Sequence, residues 1–316
     1  MSQDPDISII VTAYNSENTL PRLLQSMKSQ TYENYEVILI NDGSLDGTGA
    51  ICDEIAKDDK RFKLIHQKNM GVSISRQRGL ETCTGKYVIH FDADDWIESC
   101  LLEKMYSTIE RENADLLVCD YYVHHAAESS YCSQNCAGKS ASEVLRLILE
   151  GQLHGSLCNK MVRRDALLNC YFTPGINYCE DVLLWTQVLR KPIRIIYLSD
   201  AFYHYDYTAN SESLTKLTDE SFSKHRLAYV NRLEEFLPEH AYKDVIRGIK
   251  LGLRLEAFQW NIPEFVSQNF KDTNPYIMSM GTSLYNRVCL YLSAHRLHCL
   301  GRLFYSFKKL IRNTIK

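Results

Sequence analysis

The sequence predicts an α/β fold, a mainly parallel central sheet flanked by helices, followed by a helical C-terminal region. Three observations predict it. Short β-branched runs alternate with amphipathic, helix-length segments from Ile7 to Cys119. Several of those runs end in polar clusters instead of tight hairpin turns. Beyond Asp219 the apolar spacing is helical to the end of the chain. The change of pattern near 210–220 divides the chain into an α/β body, 1–215, and a helical part, 216–316.

Taken in order, Ile7 to Val11 is a buried strand that ends in Thr12-Ala13-Tyr14-Asn15. Pro21 suits the first turn of the helix that follows, where Leu20, Leu23, Leu24 and Met27 recur at helical spacing. Val37 to Ile40 is the second strand and ends in Asn41-Asp42-Gly43-Ser44. A helix from near Asp46 turns Ile51 and Ile55 inward, and Phe62 to Ile65 is a third strand. Gly71 to Leu80 reads as a helix carrying Arg76 and Arg78. Tyr87 to Phe91, apolar apart from His90, reads as a strand buried on both faces of a parallel sheet. Leu101 to Ile109 is a helix and Ala114 to Cys119 a further strand. Parallel strands joined this way need right-handed crossovers. From Tyr121 to Ser142 the pattern dissolves into a loop or irregular hairpin. Ser142 to Leu149 is then a helix, Leu157 to Val162 a strand, Cys179 to Leu189 a helix that begins in acids, and Ile193 to Leu198 the last strand. Pro238, Pro263 and Pro275 interrupt the C-terminal helices.

A chain of 316 residues holds one large domain or two smaller ones with a well-buried core. Its formal net charge of −3 is unevenly divided: no Asp or Glu follows Asp272, while seven Lys and Arg do. A basic tail on an acidic body points to an anionic surface, not to nucleic acid gripped by the whole protein. From Leu297 on, Leu300, Phe304, Phe307, Ile311 and Ile315 form one helical stripe. Arg302, Lys308, Lys309, Arg312 and Lys316 fall on the adjoining arc. Such a helix is expected to lie on an anionic membrane; the alternative is that its stripe packs on the body or on a second copy, making a homo-oligomer. The eleven cysteines are scattered, and only Cys132 and Cys136 are close, without a second ligand pair for a metal. Reduced core thiols in a cytoplasmic protein are expected. The polar start, MSQDPD, predicts no secretory signal, and no apolar run approaches the roughly 20 residues that span a bilayer.

The stretch KYVIHFDADDWIE holds the densest chemistry. Asp92, Ala93, Asp94 and Asp95 follow a strand, and acids so close repel one another unless water, donors or a cation accompany them. Hard oxygen ligands suit Mg²⁺ or Mn²⁺, which bridges carboxylates to phosphates. Asp95 alone reads equally well as a cap for the next helix. Polar strand ends at Thr12 to Asn15, at Asp42 and at Asp92 to Asp95 would face one crevice beyond the sheet. Neither GxGxxG nor GxxxxGK[ST] occurs, so neither a dinucleotide Rossmann site nor a P-loop is supported. A nucleotide would instead meet Asp42 through a base N–H, with the backbone near Ala13 alongside. Arg76 is either its cationic partner or a surface arginine. Trp96 either stacks on a sugar or packs under the acid loop. Lys160 is either buried against donor or acceptor, or a surface charge. Glu180 and Asp181, at a helix start, either cap it or do catalysis. Trp185 and Trp260 lie in helical patterns and read as core.

In this order, VTAYN, INDGSLDGT, NMGVSISRQRGL, FDADD, CNKMVRRD and CED resemble the inverting family 2 glycosyltransferases with a GT-A fold. The resemblance covers residues 5–215. It implies that Thr12, Ala13, Tyr14, Asn15 and Asp42 bind the nucleoside of a UDP-sugar. Asp92 and Asp94 would bind ribose and the metal–diphosphate, and Asp181 would be the catalytic base with Glu180 beside it. Relatives often carry an aromatic-rich strand followed by Arg where this chain has FYHYDYTANSES; His204 there is either a metal ligand or a packed core residue. The chemistry asks for the same parts, a Lewis acid for the departing diphosphate and a base for the acceptor hydroxyl. Enzymes of this kind resemble those that build capsular, lipopolysaccharide or teichoic-acid glycans on lipid carriers at the inner face of the plasma membrane. Two rivals are a sugar-nucleotide nucleotidyltransferase, disfavoured by the missing Gly-rich phosphate loop, and a catalytically inactive scaffold, disfavoured by intact Asp92, Asp94 and Asp181.

Overall fold

The computed structural model describes residues 4–208, 220–238 and 240–314. The chain divides into two compact units, Met1–Thr215 and Lys216–Lys316. In the first, β1 (Ile7–Ala13), β2 (Tyr35–Asn41), β3 (Phe62–His66) and β4 (Tyr87–Asp92) pair in parallel, in the order β3-β2-β1-β4. The register sets Ala13 beside Asn41 and Thr12 beside Asp92. The three polar strand ends therefore lie side by side at the carboxyl edge of neighbouring strands. The apolar runs fix that arrangement: Ile7, Ile9, Val11, Val37, Leu39 and Ile89 are fully buried. Helix α1 (Leu20–Lys28) buries Leu20, Leu23, Leu24 and Met27, the stripe its spacing predicts. Helices α2 (Thr48–Asp58) and α3 (Val72–Thr82) complete the crossovers, and α4 (Leu101–Arg111) buries Leu101, Leu102, Met105 and Ile109.

The second half of the sheet departs from a purely parallel plan. It contains β5 (Trp96–Ile97), β6 (Leu116–His124), β7 (Ser129–Cys132), β8 (Lys160–Arg163) and β9 (Ile195–Asp206). The order continues from β4 as β8-β6-β9-β5, with β7 on β6. Short β8 runs antiparallel to both β4 and β6, so the sheet is mixed. The irregular stretch after Tyr121 is resolved as the β6–β7 hairpin, in which Tyr122 faces Tyr131. Strand β9 does not stop at Leu198. Its parallel pairing with β6 continues through register shifts around Asp120 and carries the strand to Asp206. Between these strands lie α5 (Ala141–Leu149) and α6 (Glu180–Val188). Helix α5 starts on a reciprocal capping box of Ser140 and Glu143.

The second unit is helical: α7 (Glu220–Phe236), α8 (Lys243–Gln259), α9 (Pro263–Gln268), α10 (Leu284–Ala294) and α11 (His298–Thr314), with a 3₁₀ segment at Lys271–Ser279. Fully buried Arg254 ties α8 to α9 and to that segment by donating to the carbonyls of Val266 and Phe270 and to the side chains of Thr273 and Asn274. Trp185 is buried, as expected of core. Trp260 is not: it follows the last turn of α8 and is about half exposed. In α11 the packing face is Gly301, against the Cys289 carbonyl, with Tyr305 edge-on to Phe258. Leu297, Leu300, Leu303 and Phe304 are exposed. Ile315 and Lys316 lie outside the described residues. All eleven cysteines are free, and no described helix is long and apolar enough to cross a membrane.

Candidate active site

The first site loop is held by its own backbone. Asn15 adopts a positive φ of 48°, donates its N–H to Ser44 Oγ and accepts from the Leu45 N–H. Asn41 in turn accepts from both the N–H and the hydroxyl of Ser44. The loops after β1 and β2 are thereby stitched into one rim, with Tyr14 exposed above it. Thr12 is half-buried and Ala13 buried.

Asp42, buried just beyond β2, already receives three protein donors. Oδ1 accepts from Gln67 Nε2 at 2.7 Å and the Met70 N–H at 2.9 Å, and Oδ2 accepts from the Gly71 N–H at 2.9 Å. The carboxylate thus fixes the turn into α3, and Oδ2 retains one lone pair for a further donor. Gly71 is required in that turn: its φ is +87°, and a Cβ would meet the Asn177 side chain at 2.4 Å.

Arg76, on α3, is neither a surface arginine nor an open cation. It is buried, and its guanidinium forks between Asp92 Oδ1 at 2.7 Å and Glu180 Oε1 at 2.5 Å. This fork joins the end of β4 to the start of α6, residues far apart in sequence. Burial alone would lower the Arg76 pKa, but Asp92, Glu180 and Asp181 outweigh it and hold the group above its usual range. Several carboxylates share one guanidinium, so none is neutralised fully. Burial therefore pushes Glu180 up, opposed by Arg76 and assisted by Asp181.

Asp181 keeps partial exposure at the first turn of α6, with Oδ1 accepting from the Val182 N–H. The residue at the cap position is Cys179, in the left-handed region, and it makes no side-chain cap. Burial raises the Asp181 pKa against the pull of Arg76 and Lys160. A carboxylate made more basic and left within reach of solvent is suited to take a proton. Lys160 is fully internal. Its ammonium donates to the carbonyls of His154 and Ser156 at 2.8 Å and to Asn159 Oδ1 at 2.7 Å. Burial lowers it to about 8.

The acid run separates into different roles. Asp92 and Asp94 are half-buried at the strand end. Asp95 is fully buried and does not cap α4. It accepts from the Tyr203 hydroxyl and from the Asp206 N–H, pinning the loop to β9. Burial and the neighbouring acids push its pKa well up. Trp96 pairs across to His204 and is covered on its rings, with Arg22 4.2 Å above it and His204 stacked at 5.0 Å. It packs under the loop. His204 lies between Trp96 and Tyr122, with Nδ1 2.8 Å from His124 and Nε2 2.9 Å from Glu98. Both ring nitrogens are engaged within an aromatic stack, the arrangement of a packed residue. Among the described residues no group of three or more His, Cys, Asp or Glu forms a ready metal cage. The donor set nevertheless fits a hard divalent cation, for Mg²⁺ typically needs one or two carboxylates and completes its shell with phosphate and water.

Arg22, Gln67 and Tyr203 escaped the sequence reading, and Asp206 entered it only as part of FYHYDYTANSES, without a role. Arg22 sits on the wet face of a helix, where an arginine ordinarily means nothing. Only the extended alternation of FYHYD, continuing β9, offered a signal for Tyr203 and Asp206.

The fold is that of the GT-A glycosyltransferases. The model of glycosyl transferase family 2 matches residues 8–170, and the chain belongs to that family. A putative glycosyltransferase of Bacillus subtilis, EpsH, is 32% identical over 215 residues, covering 64% of this chain and 61% of the relative. The chain thus spans about three fifths of that relative's length. The crystal structure of S. aureus TarS, residues 1–349, superposes with a TM-score of 0.67 at 22% identity, over 96% of this chain and 91% of that one. The same protein in complex with UDP-GlcNAc gives 0.63 at 20% identity, over 96% and 92%. The mannosyltransferase PcManGT from Pyrobaculum calidifontis, in complex with GDP-Man and Mn²⁺, gives 0.55 at 16% identity, over 98% and 84%.

Proposed function

We propose that this glycosyltransferase transfers one sugar from a UDP-sugar to a hydroxyl of a glycan or lipid-linked acceptor, with inversion at the anomeric carbon. The observation that carries the proposal is the Arg76 fork, which holds Asp92 and Glu180 on one guanidinium and so brings the acid loop beside Asp181. UDP lies along the carboxyl ends of β1, β2 and β4, with the nucleoside over Thr12 to Asn15 and a base N–H on the remaining lone pair of Asp42. Asp92 and Asp94 would hold Mn²⁺ or Mg²⁺ beside the diphosphate. That cation, when bound, neutralises charge on the leaving group. Asp181 removes the proton from the acceptor hydroxyl. The freed oxygen bonds to the anomeric carbon from the face opposite the diphosphate, the bond to the diphosphate oxygen breaks, and UDP departs. TarS as a UDP-GlcNAc binder and PcManGT as a Mn²⁺ binder support this reading. Purified protein with Mn²⁺ should release UDP from at least one of UDP-Glc, UDP-Gal, UDP-GlcNAc and UDP-GalNAc. Silence across that panel with Mn²⁺ and with Mg²⁺ would defeat the proposal.

The same reading places the reaction in bacterial surface-polysaccharide synthesis, at the cytoplasmic face of the membrane. Its support is α11, whose Leu300 and Phe304 are exposed while seven basic residues and no acid follow Asp272. Each basic residue near an anionic surface contributes about 1 kcal/mol. Removing residues 297–316 should abolish co-sedimentation with anionic liposomes and leave the neutral-liposome result unchanged. Equal binding by full-length and truncated protein would end this assignment, and a change in oligomer size on truncation would favour a second copy as the partner.

A further inference from the structure

Arg22 has no part in the reading above, yet it makes three contacts in one place. Its Nη2 donates to the backbone carbonyl of Asp94 and, at 2.8 Å, to Asp206 Oδ2. The guanidinium carbon also lies over Trp96, 4.2 Å from the ring centroid. Each contact reaches a different segment: the acid loop, the end of β9 and the short strand β5. Asp206 is itself fixed, because its N–H donates to Asp95 and its carboxylate accepts from the N–H and hydroxyl of Thr208. Trp96 is fixed from its other side by His204. Helix α1 adds two more ties to the same stretch, Ser26 accepting from the Ile97 N–H and Gln30 bridging the Glu98 carbonyl and the Leu102 N–H.

We infer that Arg22 is a positioning residue for the acid loop, setting the Asp94 backbone so that its carboxylate meets a divalent cation and the diphosphate it carries. The physical reasoning runs through rigidity. A turn holding Asp92, Asp94 and Asp95 repels itself and would open without opposing bonds. Asp95 is pinned from within by Tyr203 and Asp206, and Asp92 by Arg76. The Asp94 peptide is held from outside by Arg22, whose Nη2 donates to two oxygens while the guanidinium covers an indole. A lysine would keep the charge and lose that geometry. Groups that orient a metal ligand without touching the metal typically alter metal affinity by about 10–100-fold.

The inference rests on the metal reading above, and one calorimetric series separates the two. UDP is titrated into wild type, Arg22→Ala and Arg22→Lys, each with Mn²⁺ and again with EDTA, after urea melts establish that the variants are folded. The expected result is a Mn²⁺-dependent gain in UDP affinity for wild type, reduced about tenfold or more in Arg22→Ala. Arg22→Lys should lie between, and affinities in EDTA should be equal for all three. A wild-type gain retained in full by both variants overturns the role of Arg22 alone. Equal wild-type affinity with Mn²⁺ and EDTA overturns the metal reading and this inference with it. A loss of UDP affinity in Arg22→Ala that is the same in EDTA also overturns the inference, since it would mark a general collapse of the site.

Discussion

In the half of the sheet formed by β3, β2, β1 and β4, the candidate site residues sit where apolar strands end. In the half formed by β8, β6, β9 and β5, they sit where polar side chains from distant segments meet. Thr12, Asp42 and Asp92 belong to the first kind: the strand register sets Thr12 beside Asp92 and Ala13 beside Asn41, with Asp42 next in the chain. Asp181, Lys160 and the Asp94 turn belong to the second. They are held by Arg76 across to Glu180, by a cage of three oxygens, and by Arg22 with Asp206. In the first kind the backbone placing of the strand ends is carried by the hydrophobic core. The second kind fails locally when one bond is removed, because a buried charge is left without its partner.

The largest effect should come from the base. Asp181→Asn is expected to keep UDP-sugar binding and to lose about 10²–10⁴-fold in turnover, the usual worth of a positioned general base. Single-turnover kinetics at saturating donor would show it, and near-normal turnover would transfer the role to Glu180. Next comes the fork. Arg76→Met leaves Asp92 and Glu180 partly or fully buried without their cation, at a cost of about 3–5 kcal/mol by urea unfolding. A cost below about 1 kcal/mol would mean that the two halves are joined by other contacts.

The smallest effect is a shift in pH dependence. Asp181 must be ionised to accept a proton, and its pKa is raised, so activity should fall on the acid side above the ordinary carboxylate range. Lys160 pulls that pKa down, as does Arg76. Lys160→Met should therefore move the acid limb of kcat/KM to higher pH while leaving UDP affinity unchanged. An acid limb that stays in place would show that Lys160 serves the loop around His154 and nothing more.

How much of this was legible follows the same division. Parallel strands, their order of appearance and the polar clusters at their ends are written in local runs such as Ile7 to Val11, because burial on both faces requires continuous apolar sequence. Asp92, Asp94 and Asp181 were legible as motif residues. The antiparallel placing of β8 was not, because four residues carry no mark of direction. The true partners of Asp95, Trp96 and His204 were hidden for another reason. Asp95 and Trp96 are met by β9, more than 100 residues on, and His204, on β9 itself, by β5 and β6; a side chain's neighbours across a sheet leave no trace in its own segment. Arg76 was read as solvent-facing or ligand-facing, since a lone arginine in a helix gives no hint of two buried acids.

The central claim, that a base on α6 and a diphosphate held at the end of β4 act on opposite faces of one sugar, has a direct chemical signature. With a donor and acceptor pair identified by UDP release, proton NMR of the product reports the configuration at the newly bonded anomeric carbon. The account predicts a β linkage from an α-linked UDP-hexose such as UDP-Glc or UDP-Gal. An α linkage would contradict it.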